Sequence, residues 1–221
     1  MPNWCATNWT VRGKAGDIQK LADIFNSLKE REDVRPNGFG KQWLGNLAAA
    51  LGYDFDKLDE AGANMRGTID SNGSACACLI LGQPDSKPFR TETDASGELS
   101  TLRFTTQSAW GMPDWFTDHL DALGVEYGYK ATDEFGNFHV CHNPDLIGAI
   151  YELEDIGRDI WEEYRRGEED RVLARIQSST GIEYPRERLD KEGWEPLLEM
   201  LAEYNEDHED EEVYLHPYIE E

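Results

Sequence analysis

Lysine and arginine are scarce in this chain: 21 stand against 45 aspartates and glutamates in 221 residues, a formal net charge of -24. That shortage argues against direct binding of DNA, RNA or an anionic membrane, because such binders cluster Lys and Arg to displace counterions from phosphates. Cysteine is scarce as well, at Cys5, Cys76, Cys78 and Cys141. Without an export signal these read as buried thiols rather than disulfides. No apolar run is long enough to span a bilayer, and the N-terminus lacks the basic and hydrophobic regions of a signal peptide, which predicts a cytoplasmic protein. Also missing are a Ser/His/Asp order, a glycine-rich phosphate loop, an HExxH pair and a paired-cysteine zinc framework. His119, His139, His142, His208 and His216 have no clear catalytic companions. Enzyme is therefore the weaker class, and no cofactor is expected.

What is present is enough apolar material for a core, 39% of residues, in one large domain or two small ones. The charge is uneven: residues 144 to 221 carry 25 acidic and 8 basic groups, while residues 1 to 143 carry 20 and 13. Such a field favours a protein partner with a basic or nucleic-acid-binding surface, since opposite potentials speed encounter and fix orientation. The plainer reading is that the charge keeps the chain soluble.

The most organised stretch runs from Leu102 to Phe138. Leu102 to Trp110 alternates in polarity and is rich in β-branched and aromatic residues, as a strand with one buried face requires. Gly111 and Pro113 stop it; Pro113 and Asp114 open a helix carrying Trp115, Phe116, Leu120 and Leu123, and Gly124 closes it. Val125, Tyr127 and Tyr129 then return as a strand. Near the N-terminus, Asn3 to Arg12 reads as a strand with Trp9 and Val11 facing the core, followed by a helix with Ile18, Leu21, Ala22, Phe25 and Leu28 on one stripe. Ser74 to Leu81 is a strongly apolar strand, and Gly82 to Gly97 a long exposed connection to a strand at Leu99.

The opening Pro2-Asn3-Trp4-Cys5 and the block from Ser108-Ala109-Trp110 to Pro113 together resemble the YubB-like ferredoxin-like family carried by plasmids and phages, over residues 1 to 31 and 74 to 141. The resemblance implies a mobile-element setting and supplies no catalytic residues. With the order strand, helix, strand, strand, helix, strand it predicts an α+β chain: a ferredoxin-like four-stranded antiparallel sheet with two helices on one face, over residues 1–142 with an insert at 32–73. In the insert, Lys41 to Leu51 reads as a short helix, and Asp54, Asp56, Asp59 and Glu60 as a solvated acidic loop that lacks the glycine and distal glutamate of a calcium loop. The helix-free sheet face should present Trp4, Ala6, Asn8, Thr10, Arg103, Thr105, Gln107, Glu126 and Lys130, too mixed for a stacked RNA platform. Phe135 to Cys141 reads as a hairpin return. His139 and Cys141 share a strand face, as do Cys76 and Cys78, but their spacing fits no closed zinc motif and strand cysteines usually fill space. Removal of Met1 would leave a secondary amine at Pro2, a nucleophile in some tautomerases; the simpler reading is that Pro2 starts a strand.

From Asn143 the pattern predicts an acidic α-helical region, 143–221, packed on the first domain. Asn143, Pro144 and Asp145 announce a helix whose stripe is Leu146, Ile147, Ile150, Leu153, Ile160 and Tyr164; further helices follow at Glu168 to Ser178 and Trp194 to Tyr204, then an acidic tail with interspersed aromatics. Carboxylates at helical spacing lie about 5 to 6 Å apart, a spacing similar to that of phosphates along a DNA strand. The residues picked for partner binding are Glu152, Asp155, Asp159, Glu162, Glu163, Glu169 and Asp170, and Glu206, Asp207, Glu209, Asp210, Glu211 and Glu212. The expected function is a non-enzymatic acidic binding protein, in its concrete form a DNA-mimic inhibitor of a host nucleic-acid enzyme or defence complex. The alternative is an enzyme or metal-binding accessory protein with its site on the sheet.

Overall fold

A computed structural model describes residues 3–32, 34–35, 40–71, 87–134 and 139–220. Pro2, Cys76, Cys78, the expected strand Ser74 to Leu81 and the expected hairpin residues Phe135 and Gly136 lie outside them. The chain divides into two compact units, Met1–Asn143 and Pro144–Glu221.

The first unit is built on β1 (Trp4–Lys14), α1 (Ala15–Ser27), β4 (Leu99–Ala109), α4 (Asp114–Leu123) and β5 (Glu126–Asp133). Strand β1 is central, antiparallel to β4 on one side and to β5 on the other. The register sets Trp9 opposite Phe104 and Tyr129, and Val11 opposite Leu102 and Tyr127, so these side chains share one face. Helices α1 and α4 bury Ile18, Leu21, Ala22 and Phe25, and Trp115, Phe116 and Leu120. At the centre the Trp9 ring stacks 6.0 Å from Phe104 and meets Phe116 edge-on at 5.3 Å, while its indole N–H donates to Thr106 Oγ1 at 2.9 Å. A buried indole thus keeps a hydrogen bond that it would otherwise lose to burial.

The four-stranded ferredoxin-like sheet is not what forms. Short strands β2 (Gly67–Asp70) and β3 (Thr91–Thr93) both pair with β4, at its C-terminal and N-terminal halves, and β6 (His139–His142) adds to β5. Within this unit the order is β6-β5-β1-β4-β2, with β3 also on β4. The cause is the length of β4: eleven residues leave more backbone to be paired than one short neighbour covers. Strand β2 comes so close that a Cβ on Gly67, at φ +158, would lie 1.9 Å from the Gln107 carbonyl oxygen; only glycine fits. The expected helix-free face does contain Asn8, Thr10, Thr105, Gln107 and Lys130 in register, but Thr10, Thr105 and Gln107 are buried, so it is not an open platform.

Two local readings change with the fold. The expected short helix forms as α2 (Leu44–Ala50), but the acidic stretch expected as a loop is helical too, as α3 (Phe55–Glu60), whose N-cap Asp54 accepts from the Asp56 and Lys57 backbone N–H groups. And Trp110 leaves β4 at φ 63, a conformation rarely adopted by a bulky residue. It is held by its neighbours: the Asn64 side-chain amide donates to the Ala109 and Gly111 carbonyls at 2.8 and 2.9 Å, and Ser108 Oγ donates to the Gly111 carbonyl at 2.6 Å.

The second unit is not a helical region. After one turn of α5 (Pro144–Ile147), Gly148 at φ +91 ends the helix and the chain enters β7 (Ala149–Asp155). A 3-10 turn at Ile156–Arg158, with Asp159 left-handed, reverses it into β8 (Ile160–Arg165). Helices α6 (Glu169–Thr180), α7 (Arg186–Glu192) and α8 (Glu195–Asp207) follow, then β9 (Val213–Pro217) and β10 (Ile219–Glu220). Strands β8, β7 and β9 form an antiparallel sheet in that order. Tyr151, Leu153 and Asp155 share one face with Leu215 and Val213, and this unit also buries Val172 and Ile176 of α6 and Leu197 and Leu201 of α8. The apolar stripe that reads as one long helix is a β-hairpin, because Ile150, Tyr151 and Leu153 fit a strand as well as a helix and the glycines at 148 and 157 break the helical option.

Candidate functional site

Folding sorts the carboxylates of the second unit into two classes. The first has partners within the unit, buried at Asp155, Glu152 and Glu169 and more exposed at Glu162 and Asp170. Asp155, 3% exposed, accepts from the Arg158 backbone N–H and from Ser179 Oγ at 3.2 and 2.6 Å, with the guanidinium groups of Arg158 and Arg175 each 3.7 Å away. Glu162 accepts the Tyr164 hydroxyl at 2.5 Å and pairs with Arg175 at 3.0 Å. Burial, then that hydrogen bond, push the Tyr164 hydroxyl above its ordinary pKa. Glu152 is buried and accepts from the Tyr218 hydroxyl at 3.2 Å. Glu169 receives the Tyr151 hydroxyl at 2.8 Å, the Gly167 backbone N–H at 3.0 Å and Arg186 at 3.2 Å; Arg186 also reaches Asp170 at 3.5 Å.

These residues were picked for helical spacing. Glu152, Asp155, Asp159, Glu162 and Glu163 instead lie on the hairpin, where the i, i+4 argument does not hold. Asp159 and Glu163 are exposed there; the others named above are structural acceptors.

For Glu169, burial works to raise the carboxyl pKa, and the Gly167 N–H, its own N–H, Tyr151 and Arg186 outweigh it, leaving a net downward shift. Because the folded value lies below the unfolded one, this contribution to stability is complete above about pH 4.3, the ordinary glutamate value, and is lost as pH falls through the folded value. Urea unfolding of wild type and Glu169→Gln is expected to differ by about 2 kcal/mol at pH 7 and to converge as the medium becomes more acidic.

The second class is external and uncompensated. From Glu192 to Glu221 the sequence holds 12 acidic residues and no Lys or Arg. On α8, Glu195, Glu199, Glu203 and Asp207 recur at every fourth position and all are exposed. This stripe, about 20 Å long, continues into Glu206, Glu209, Asp210 and Glu211, also exposed. Apart from Glu192, which pairs with Arg188, the described acids of this segment up to Glu212 make no ion pair among the described residues. Of the picked residues, the run Glu206 to Glu212 falls in this class; Glu195, Glu199 and Glu203 were missed. Their four-residue spacing and the absence of any cation after Lys191 are both readable in the sequence.

The acidic run after α8 is a held loop, not a frayed tail. Asn205 spans its base: its side chain donates to the Val213 carbonyl at 3.0 Å and accepts from the Val213 N–H at 2.9 Å, both buried. The Glu211 N–H donates to the His208 carbonyl and the Ile156 N–H to the Glu212 carbonyl, each at 2.9 Å. A Cβ on Gly157 would stand 3.0 Å from Glu211 Cα, so the hairpin turn packs directly on the loop.

In the first unit, His119 Nδ1 lies 3.2 Å from the Tyr53 hydroxyl, and burial lowers its pKa. Cys5 and Cys141 are buried. Among the described residues no three His, Cys, Asp or Glu side chains are placed to hold a metal ion, and no helix is long and apolar enough to cross a membrane. No family model, no curated protein and no solved structure matches the chain.

Proposed function

We propose that the chain is an acidic binding protein whose α8 stripe and following loop engage a basic surface on a protein partner, in place of the nucleic acid that surface handles. One observation carries the reading: carboxylates from Glu195 to Glu211 are exposed without cations, whereas Glu162, Glu169 and Asp170 on the same unit have arginine partners. Exposed like charges four apart on a helix repel by about 0.2 to 0.5 kcal/mol per pair, and acids in the last turn oppose the helix dipole. A fold that supplies arginines to one set of acids and withholds them from another bears that cost where the charge is used.

The expectation of a mobile-element protein acting on a host nucleic-acid enzyme or defence complex fits this surface and remains the concrete version of the proposal. Its test is a tagged pull-down from a bacterial host lysate treated with nuclease. The proposal expects a nucleic-acid-handling protein to be retained at low ionic strength and released when salt screens exposed charges. Retention that is indifferent to salt, or no specific partner at either ionic strength, contradicts it.

A further inference from the structure

One transverse row of this sheet sets Glu154 of β7 between Trp161 of β8 on one side and Tyr214 of β9 on the other. Residues paired across antiparallel strands project from the same face. This face is opposite the one carrying Leu153, Leu215 and Val213. Trp161 is 55% exposed and Tyr214 36%, the two most exposed aromatic side chains of this unit. Glu154 makes no ion pair among the described residues. Nor does Glu212, which accepts the Tyr214 hydroxyl; this bond, then burial and Glu154, hold that hydroxyl above its ordinary pKa. Strands lie about 4.8 Å apart, so the two rings rise from backbones about 10 Å apart with a carboxylate between them.

We infer that Trp161, Glu154 and Tyr214 form a recognition site for an arginine side chain on a protein partner. A cation held by Glu154 sits in the row between the two rings, where cation–π attraction acts within roughly 6 Å of a ring centroid, and a guanidinium can lie flat against a ring while it bonds a carboxylate. Charge complementarity selects the occupant: the row is bordered by Glu212 and the acidic loop, which attract a basic segment and repel a nucleic acid. Exposed aromatics beside unpaired acids distinguish this patch from a merely solvated charged surface, whose neighbours would be polar. The inference rests on the acidic-surface reading and adds to it a point of specificity for arginine.

The test uses the full chain and three blocked peptides, Gly-Arg-Gly-Arg-Gly and its citrulline and lysine counterparts, titrated by calorimetry at low salt. The arginine peptide is expected to bind, the lysine peptide to bind more weakly, and the citrulline peptide, flat but uncharged, to bind at least about tenfold more weakly. Trp161→Ala and Tyr214→Ala should each weaken arginine binding about two- to fivefold, and Glu154→Gln should weaken it with both rings in place. Citrulline binding as well as arginine, or binding that survives the double aromatic substitution, overturns the site. If binding survives that substitution but is lost on charge reversal along α8, the arginine site fails and the acidic surface stands. Sedimentation provides the remaining outcome: self-association abolished by Trp161→Ala, with no peptide bound, would assign this face to a second copy of the chain and overturn the inference.

Discussion

Substituting lysine for Glu199 and Asp207 is expected to raise the melting temperature of the protein and to abolish capture of its partner. In the native helix Glu195, Glu199, Glu203 and Asp207 form three successive like-charge pairs at i, i+4. The two substitutions turn all three into opposite-charge pairs, and Lys at 207 also replaces an acid at the negative end of the helix dipole. Each altered pair is worth about 0.4 to 1 kcal/mol between repulsion and attraction, so a gain of about 1 to 3 kcal/mol at low salt follows. The net charge moves only from -24 to about -20, so the protein stays strongly acidic. Binding should nonetheless weaken by about tenfold or more, because two charges at the contact change sign. Opposite signs for stability and binding mark a surface shaped by its partner. A variant that melts lower, or binds as before, would show that the α8 stripe is only a solvated face.

Substituting alanine for Asp155 should have the largest effect on stability, about 3 to 5 kcal/mol. The carboxylate ties the β7 end to the 3-10 turn through the Arg158 N–H and to α6 through Ser179, and it lies beside two guanidinium groups. Its removal leaves the half-buried Arg175 with Glu162 alone and strands the Ser179 hydroxyl. Asp155→Asn keeps an acceptor oxygen and should lose roughly half as much. Urea denaturation with an unchanged m-value checks both. Partner capture by Asp155→Asn should equal wild type, since the group is internal. A loss below about 1 kcal/mol for the alanine variant would place the network among the weak surface ion pairs.

How far the chain could be read from its sequence depended on how local each signal was. Trp9 and Val11 on a core-facing strand, the Pro113 to Gly124 helix and its left-handed glycine cap at φ 65 follow from period and punctuation alone. The β7–β8 hairpin did not, because Ile150, Leu153, Ile160 and Tyr164 satisfy a helical stripe while the same stretch satisfies alternation; Gly148, Gly157 and the left-handed Asp159 decide it, and they were outweighed by the apolar count. The extra strands β2 and β3 answer a long-range need, the pairing of a long β4, that no window of sequence contains, whereas β6 pairs with β5 as the expected hairpin return requires. The same holds for the carboxylates. Asp155 looks like any surface acid until strand parity turns it inward toward Arg175, twenty residues on. The α8 stripe lay within reach, since four-residue spacing and the lack of cations are both local, but the inward leucines 197 and 201 drew the reading to the other face.

The most direct measurement is competition. The partner retained on wild-type protein at low salt is challenged with increasing short duplex DNA, beside the Glu199→Lys, Asp207→Lys variant. If the α8 surface substitutes for nucleic acid, duplex releases the partner in proportion to its own affinity and the variant retains none from the outset. A partner that stays bound through saturating duplex, or binds the variant as tightly as wild type, contradicts that account.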